Sequence, residues 1–581
     1  MIFNSLEFIA FFVISTALYF LVPLQFRNLL LLIASIIFYA FLMPKYIFVL
    51  FYLVLVDYIG GMLIGKSKNR AKKFYFVVFI TLTSLPLLFF KYLNFFNVNL
   101  SKLADFLHWN YSVGLLSLVA PIGLSFITLQ ALSYIIEVYK GRQKSENNFL
   151  VFSLYIMFFP QILSGPIGRP QKLLPQFHKE YCFDFQRAVS GLRLMLWGYF
   201  KKLVIADALA LYVNSIFHSP RLSLSYDLMT ATFLFGIQIY CDFSGYTDIA
   251  RGSARVLGFN LMENFNRPYF SQSILEFWRR WHISLTSWMR DYVYIPLGGN
   301  RVSNFRHFFN VLLVFAFSGL WHGANWTFIV WGLLHAFYII FSFITKNFRQ
   351  FLIKTIKLDK APFLYKALKI ITTFVLVDIA WIFFKAESIS DAVYIITHFI
   401  DDTTLGVTLY YIIRIFVSII PLMYLYYIIK LNARSSNLTH SRFKLITVFA
   451  IISGVILLVQ GFVELMTSWI NIVILIISFG FMYYANVFSR YSTAIRMLLF
   501  SILATSILLL NDVLNEIFRK PVVIFSVAVM EYLYFIQETK KSANFISARP
   551  LYFKLAIYLS LLLFVLLFGT FEVNQFIYSQ F

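Results

Sequence analysis

The chain has 581 residues, 60% of them hydrophobic and 20% aromatic, and only 13% are charged. A soluble domain carries about twice that share of charge, and 69 Phe with 36 Tyr exceed what one aqueous core hides, so lipid is the solvent this composition implies. The net charge of +23, from 49 Lys and Arg against 26 Asp and Glu, lies in short loops between apolar runs, which excludes a nucleic-acid-binding class and assigns the charge to membrane orientation.

Apolar runs long enough to cross a bilayer recur from end to end. The first, residues 6–22, lacks a basic leader and a small-residue cleavage site and is expected to be a retained span. Further spans are expected at 29–42, 47–63, 74–90, 116–136, 149–163, 192–211, 229–240, 308–320, 326–344 and 370–384. A C-terminal set follows at 411–429, 445–463, 470–482, 497–510, 522–536 and 555–567. Several are short, so the expected total lies between about eleven and seventeen spans. No internal repeat of the paired-transporter kind is present.

Loop charge predicts the orientation. Lys66, Lys68, Arg70, Lys72 and Lys73 follow the third run with no acid among them, which places that loop in the cytoplasm. Basic loops recur at 140–144, 346–369, 434–444, 490–496 and 540–554, whereas Glu387, Asp391, Asp401, Asp402, Asp512 and Glu516 mark the opposite side. Span 326–344 therefore starts outside and ends at the cytoplasm, and the C-terminus is expected to be external. Cys182 and Cys241 have no metal-ligand spacing, and nothing requires a disulfide between them.

Polar residues inside this apolar frame are the candidates for function. Ser125 and Gln130 sit in the run 116–136, and Gln161 and Ser164 close the next. Each can join helices by hydrogen bonds or line a polar route. Pro121, Gly123, Pro160, Gly165, Pro166 and Gly168 mark helix breaks whose backbone groups can serve a site. Asp242 and Asp248, in YCDFSGYTDIA, are expected at a membrane boundary, where an acid is either used or simply solvated. The longest stretch without an obvious span, 242–306, has the composition of a segment that re-enters the membrane.

Residues 272–292, QSILEFWRRWHISLTSWMRDY, are predicted to form one amphipathic helix at the interface. Ile274, Trp278, Trp281, Leu285, Trp288 and Tyr292 make its apolar stripe, and Glu276 and Arg280 are spaced to pair. His282 stands beside the stripe, as a packing residue or a functional one. His322, in FSGLWHGANW, lies between two apolar spans with Gly319 and Gly323 clearing space around it. A neutral imidazole there can pack, or can take a proton from a hydroxyl. His335, thirteen residues on, has no evident metal partner, and His282 and His322 form no zinc signature.

Several long stretches in order resemble the membrane-bound O-acyltransferase family, in its bacterial branch of alginate O-acetylation and D-alanyl lipoteichoic acid transfer. They are PIGLSFITLQALSYIIEVYKG from Pro121, FFPQILSGPIGRP from Phe158, IYCDFSGYTDIARGSARVLGFNLMENFNRPY from Ile239, SILEFWRRWHISLTSWMRDYVYIPLGGNR from Ser273 and SGLWHGANWTFIVWGLLHA from Ser318. DIAWIFFKAESISDA from Asp378 and the ending FGTFEVNQFIYSQF extend the resemblance.

The resemblance implies an all-α multispan fold with a central catalytic tunnel. It also implies three regions: a catalytic membrane core at 1–400, additional helices at 401–550 that match less clearly, and a final span and tail at 551–581. By the same resemblance His322 is the essential histidine and His282 the second, where a cytoplasmic thioester meets an acceptor from the other side. Trp278, Arg279, Arg280, Arg290, Asp291, Asp242, Ser125, Gln130 and Asn325 become candidates for donor binding or tunnel lining, with the arginines toward a phosphorylated donor. Acetyl-CoA is the implied donor substrate, with no tightly bound cofactor or metal. The implied partners are an exported polysaccharide and an extracytoplasmic acetyltransferase or acyl-accepting protein, or an acyl carrier protein in the D-alanyl version. The implied location is the bacterial cytoplasmic membrane. A non-enzymatic exporter and an inactive scaffold are the rival readings, and neither needs both histidines.

Overall fold

The computed structural model describes residues 1–399, apart from 112, 118 and 164, and scattered residues between 530 and 569. The chain divides into two compact units, one of residues 1–223, 227–397 and 532–581 and the other of residues 224–226 and 398–531. Most spans expected beyond residue 400, and the proposed region 401–550, lie outside the described residues.

Among the described residues every regular element is a helix. In chain order these are α1 (Leu6–Leu21), α2 (Arg27–Leu42), α3 (Ile47–Lys66), α4 (Asn69–Leu87), α5 (Leu93–Phe106) and α6 (Leu124–Tyr139). Next come α7 (Phe149–Met157), α8 (Phe159–Ile162), α9 (Pro170–Phe177), α10 (Phe185–Tyr199), α11 (Asp207–His218), α12 (Ser225–Leu257), α13 (Ile274–Arg280) and α14 (Ile283–Met289). The last are α15 (Asn304–His322), α16 (Trp326–Ile344), α17 (Lys346–Thr355), α18 (Pro362–Lys385) and α19 (Ile389–Thr397). Widened π turns at Leu88–Tyr92, Phe200–Ala206 and Arg290–Tyr294 follow α4, α10 and α14.

Five helical stretches, Leu24–Leu42, Pro44–Lys66, Asn69–Phe106, Trp326–Ile344 and Pro362–Lys385, are long and apolar enough to cross a bilayer. Their outer faces keep large apolar side chains exposed, among them Phe41, Phe48, Phe74, Phe337 and Val375, as a helix against lipid requires. The fold is an all-α, multi-pass membrane fold, and the protein belongs to the cytoplasmic membrane. Polar caps start the helices where the sequence changes from loop to apolar run. Asn148 accepts from Leu150 and Val151 N–H, and Asp184 accepts from Arg187 N–H, each satisfying donors that the first turn cannot.

Helices α10 and α12 pack backbone to backbone. A Cβ on Gly198 would lie 2.6 Å from the Gly245 carbonyl oxygen, and one on Gly252 would lie 2.6 Å from that of Gly191. Two glycines seven residues apart on each helix thus make an antiparallel contact that larger side chains would prise open.

Four expectations are corrected. The run 116–136 becomes helical only at Leu124, because Pro121 and a left-handed Gly123 (φ 82°) press the preceding chain against Ile162 and Leu163. The run 149–163 does not cross. α7 breaks at Phe158 ahead of Pro160, and the chain returns to its starting side, where Gln171 meets Glu137 (2.6 Å) and His178 meets Glu146 (2.8 Å). This segment is therefore re-entrant, with residues 151–163 and 165–168 buried. Its polar groups are taken by Tyr155, whose hydroxyl donates to the Gln130 and Gly168 carbonyls at 3.0 Å each, and by Ser35, whose hydroxyl accepts from Phe159 N–H. The run 229–240 belongs to the 33-residue α12, so Asp242 lies within a buried helix and not at a boundary. The single interfacial helix 272–292 is two short helices, and its Trp278, Trp281 and Trp288 face the protein interior.

Candidate active site

α15 and α16 form a tight antiparallel hairpin. A Cβ on Gly319 would lie 2.2 Å from the Phe328 carbonyl oxygen, and one on Gly332 would lie 2.2 Å from that of Phe315. The helices touch backbone to backbone one turn before His322. The chain leaves α15 at His322, turns through the extended Gly323, and re-enters helix at Asn325, whose side chain caps α16 by accepting from Thr327 N–H. His322 thus ends one helix, 3% exposed, with ring contacts to Trp321 (4.9 Å), Trp331 (5.0 Å) and Phe384 (5.4 Å).

His282 arrives from a different direction. It is the second of the two residues between α13 and α14, in the left-handed conformation with φ 44° and ψ 53°, a strained setting for a residue with a Cβ. Three hydrogen bonds impose it: Ile283 N–H to the Asn264 carbonyl, Ser284 N–H to the Asn264 side chain, and Asn266 N–H to the Arg280 carbonyl. Without that break the ring of His282 would follow the helical stripe. With it, the fully buried imidazole packs against Phe243 (4.7 Å) and Phe126 (6.0 Å) and lies 6.2 Å from Trp321. Trp321 contacts both imidazoles, so the two histidines border one aromatic compartment walled from α6, α12, α15, α16 and α18.

The other candidates divide by place. Ser125 accepts a hydrogen bond from Lys91 at 3.4 Å, behind the His322 turn. Gln130 and Gln161 bond to one another, and Gln130 donates to the Tyr155 carbonyl, so the pair holds the re-entrant segment together. Asp242 is paired with Lys202, which also meets Asp207 at 2.8 Å, inside a buried cluster that continues through Lys201 and Asp248 (2.7 Å). Asn325 caps α16 and donates to the Glu387 carbonyl.

Trp278 packs against His335 (4.9 Å) and Trp331 (5.6 Å), one layer from His322. Arg280 pairs with Glu276 at 2.7 Å, as its spacing predicts, and Arg279 is exposed. Arg290 and Arg169 share Asp291, at 2.7 and 2.9 Å, with Arg169 and Lys140 both over the Tyr292 ring. That basic cluster lies beside the 140–144 loop, on the side the loop charges mark as cytoplasmic. Among the described residues no group of three or more His, Cys, Asp or Glu side chains is arranged to hold a metal ion.

Three lysines at the centre of this architecture were not singled out from the sequence. Lys201 and Lys202 stand as an adjacent pair inside the run 192–211, and Lys91 interrupts LPLLFFKYLNFF. A cation in a run otherwise fit for lipid is itself the signal that could have found them.

The model of the membrane-bound O-acyltransferase family matches residues 144–376, which include both histidines. A probable alginate O-acetylase of Pseudomonas aeruginosa is 37% identical over 396 residues, covering 68% of this chain and 73% of that protein. A peptidoglycan O-acetyltransferase of Helicobacter pylori is 35% identical over 400 residues, covering 63% and 72%. A teichoic acid D-alanyltransferase of Bacillus subtilis is 32% identical over 235 residues, covering 38% and 58%.

Proposed function

The chain belongs to the membrane-bound O-acyltransferase family, and from that premise we propose that it moves an acetyl group from cytoplasmic acetyl-CoA toward a hydroxyl of an extracytoplasmic polysaccharide, directly or through a partner acetyltransferase. The observation that carries this reading is the pair of buried histidines on one aromatic compartment with Trp321 between them. The higher coverage of the acetylating relatives, 73% and 72% against 58% for the D-alanyl one, favours acetyl as the group moved.

In this mechanism an imidazole nitrogen of His322 takes the proton of the acceptor hydroxyl as its oxygen attacks the thioester carbonyl carbon. The carbonyl electrons move onto oxygen, and His282 orients the thioester and assists that developing charge. Collapse of the tetrahedral intermediate breaks the carbon–sulfur bond. The thiolate leaves and takes the proton from the His322 imidazolium, which restores the neutral base. The aromatic walls exclude water, so that hydrolysis competes only weakly with the acceptor. Arg169, Arg290 and Lys140 offer the charge that would hold the phosphates of the donor at the cytoplasmic mouth.

The test is incorporation of labelled acetyl from acetyl-CoA into surface polysaccharide, in membranes that retain the native partner set. Native protein incorporates label and His322→Ala at matched levels does not. Equal incorporation by both sinks the role of His322. No incorporation by either, with label arriving from an aminoacylated carrier protein instead, moves the assignment to D-alanyl transfer.

A further inference from the structure

We infer that Lys91 and Tyr92 are positioning residues for His322, a clamp that grips the last three carbonyls of the helix on which it stands; this rests on the acyltransferase role proposed for His322. α15 ends at His322, so the carbonyls of its final turn have no intrahelical donors. The Tyr92 hydroxyl donates to the Leu320 carbonyl at 3.0 Å, and the Lys91 ammonium donates to those of Trp321 (2.9 Å) and His322 (2.8 Å). Three consecutive carbonyls are thus taken by two consecutive side chains. The ammonium also reaches the Ser125 hydroxyl at 3.4 Å, in the first turn of α6 beside Phe126, which packs on His282. One cation therefore ties the end of the His322 helix to the element that walls the second histidine.

The local chain is built for this. Pro86 lies inside α4 and cannot donate to the Leu82 carbonyl, which instead accepts from the Tyr52 hydroxyl at 3.1 Å. Directly after it the helix widens into the π turn Leu88–Tyr92, a distortion that recurs at functional sites. Filling the space alone would not call for a lysine, since a well-packed apolar side chain at a buried ionic position is often neutral or stabilising. A cation at this helix end matches the negative pole of α15 and fixes the angle at which His322 leaves it.

The experiment compares Lys91→Met, Lys91→Arg, Tyr92→Phe and His322→Ala in the labelled-acetyl assay across acetyl-CoA concentrations, with melting temperature measured on the solubilised full-length protein. Lys91→Met is expected to lower kcat about 10²-fold, the scale of a displaced catalytic group, with KM for acetyl-CoA unchanged and no more than a small drop in melting temperature from the carbonyls it leaves unpaired. Lys91→Arg recovers most of the rate, because a guanidinium still donates to two carbonyls, and Tyr92→Phe loses about tenfold. Native kcat in Lys91→Met beside an inactive His322→Ala overturns the clamp alone. So does a loss of rate that follows a fall in melting temperature and is not recovered by Arg. Transfer persisting in His322→Ala overturns the catalytic reading itself, and the clamp with it.

Discussion

Gly319→Ala is the smallest change that tests whether the backbone contact of the hairpin places His322. The new Cβ would stand 2.2 Å from the Phe328 carbonyl oxygen, 2.9 Å from its carbon and 3.2 Å from the Ile329 Cα, where ordinary contact begins at 3.4 Å. All three are backbone atoms, so no side chain can rotate away, and the helices must part by roughly 1 Å, an overpacking that costs about 1–3 kcal/mol. His322 follows three residues later, on the same face of contact.

A displacement of about 1 Å at the reacting group costs on the order of 10²-fold in rate, so activity should fall far more than stability. Gly332→Ala meets the Phe315 carbonyl oxygen at 2.2 Å and lies 3.5 Å from the Gly319 Cα at the same crossing. The double variant should therefore be less destabilised than the sum of the singles, because the first substitution opens the gap for the second. Melting temperature in detergent and labelled-acetyl incorporation at matched protein levels read the two effects. Native activity and native melting temperature in Gly319→Ala would refute the reasoning.

Lys202→Met leaves Asp207 and Asp242 buried without their shared cation and should destabilise by about 3–5 kcal/mol; Lys201→Met should cost less, because Asp248 keeps Arg251 at 3.4 Å, and thermal unfolding ranks the two. His282→Gly and His282→Ala should both lose transfer, yet the glycine variant should be more stable by about 1 kcal/mol, because only glycine adopts the left-handed turn without strain; equal melting temperatures would count against the strain. Trp288→Phe removes an indole N–H that donates to the Leu129 carbonyl and the Ser133 hydroxyl, each at 2.9 Å, and is expected to cost about 1 kcal/mol, visible as a small drop in melting temperature. Cys182 is exposed and Cys241 buried, so a membrane-impermeant maleimide should label only Cys182, and only after permeabilisation, since Cys182 follows the segment that returns to the cytoplasmic side. Labelling in intact cells would invert the orientation drawn from loop charge.

What could be read along the chain was whatever one segment determines alone. Hydropathy located α2, α3, α16 and α18, since lipid demands the same unbroken apolar run whatever lies beside it. The spacing of Glu276 and Arg280 announced their pair, and the long motif around His322 marked the hairpin turn. Where apolar solvent means protein instead of lipid, hydropathy loses its meaning. Residues 149–163 are as apolar as a span, but they turn back because their neighbours bury them and Tyr155, Ser35 and the Gln130–Gln161 pair satisfy their polar groups. The helical stripe through 272–292 was real, yet Asn264, twenty residues upstream of Ser284, breaks the helix and turns His282 toward Trp321. Lys91 lies 231 residues before His322 and meets it only because two helices converge. Local periodicity and composition decide which segments become helices. The opposing backbones and polar partners brought together by folding decide where each helix stops, and so where its last side chain points.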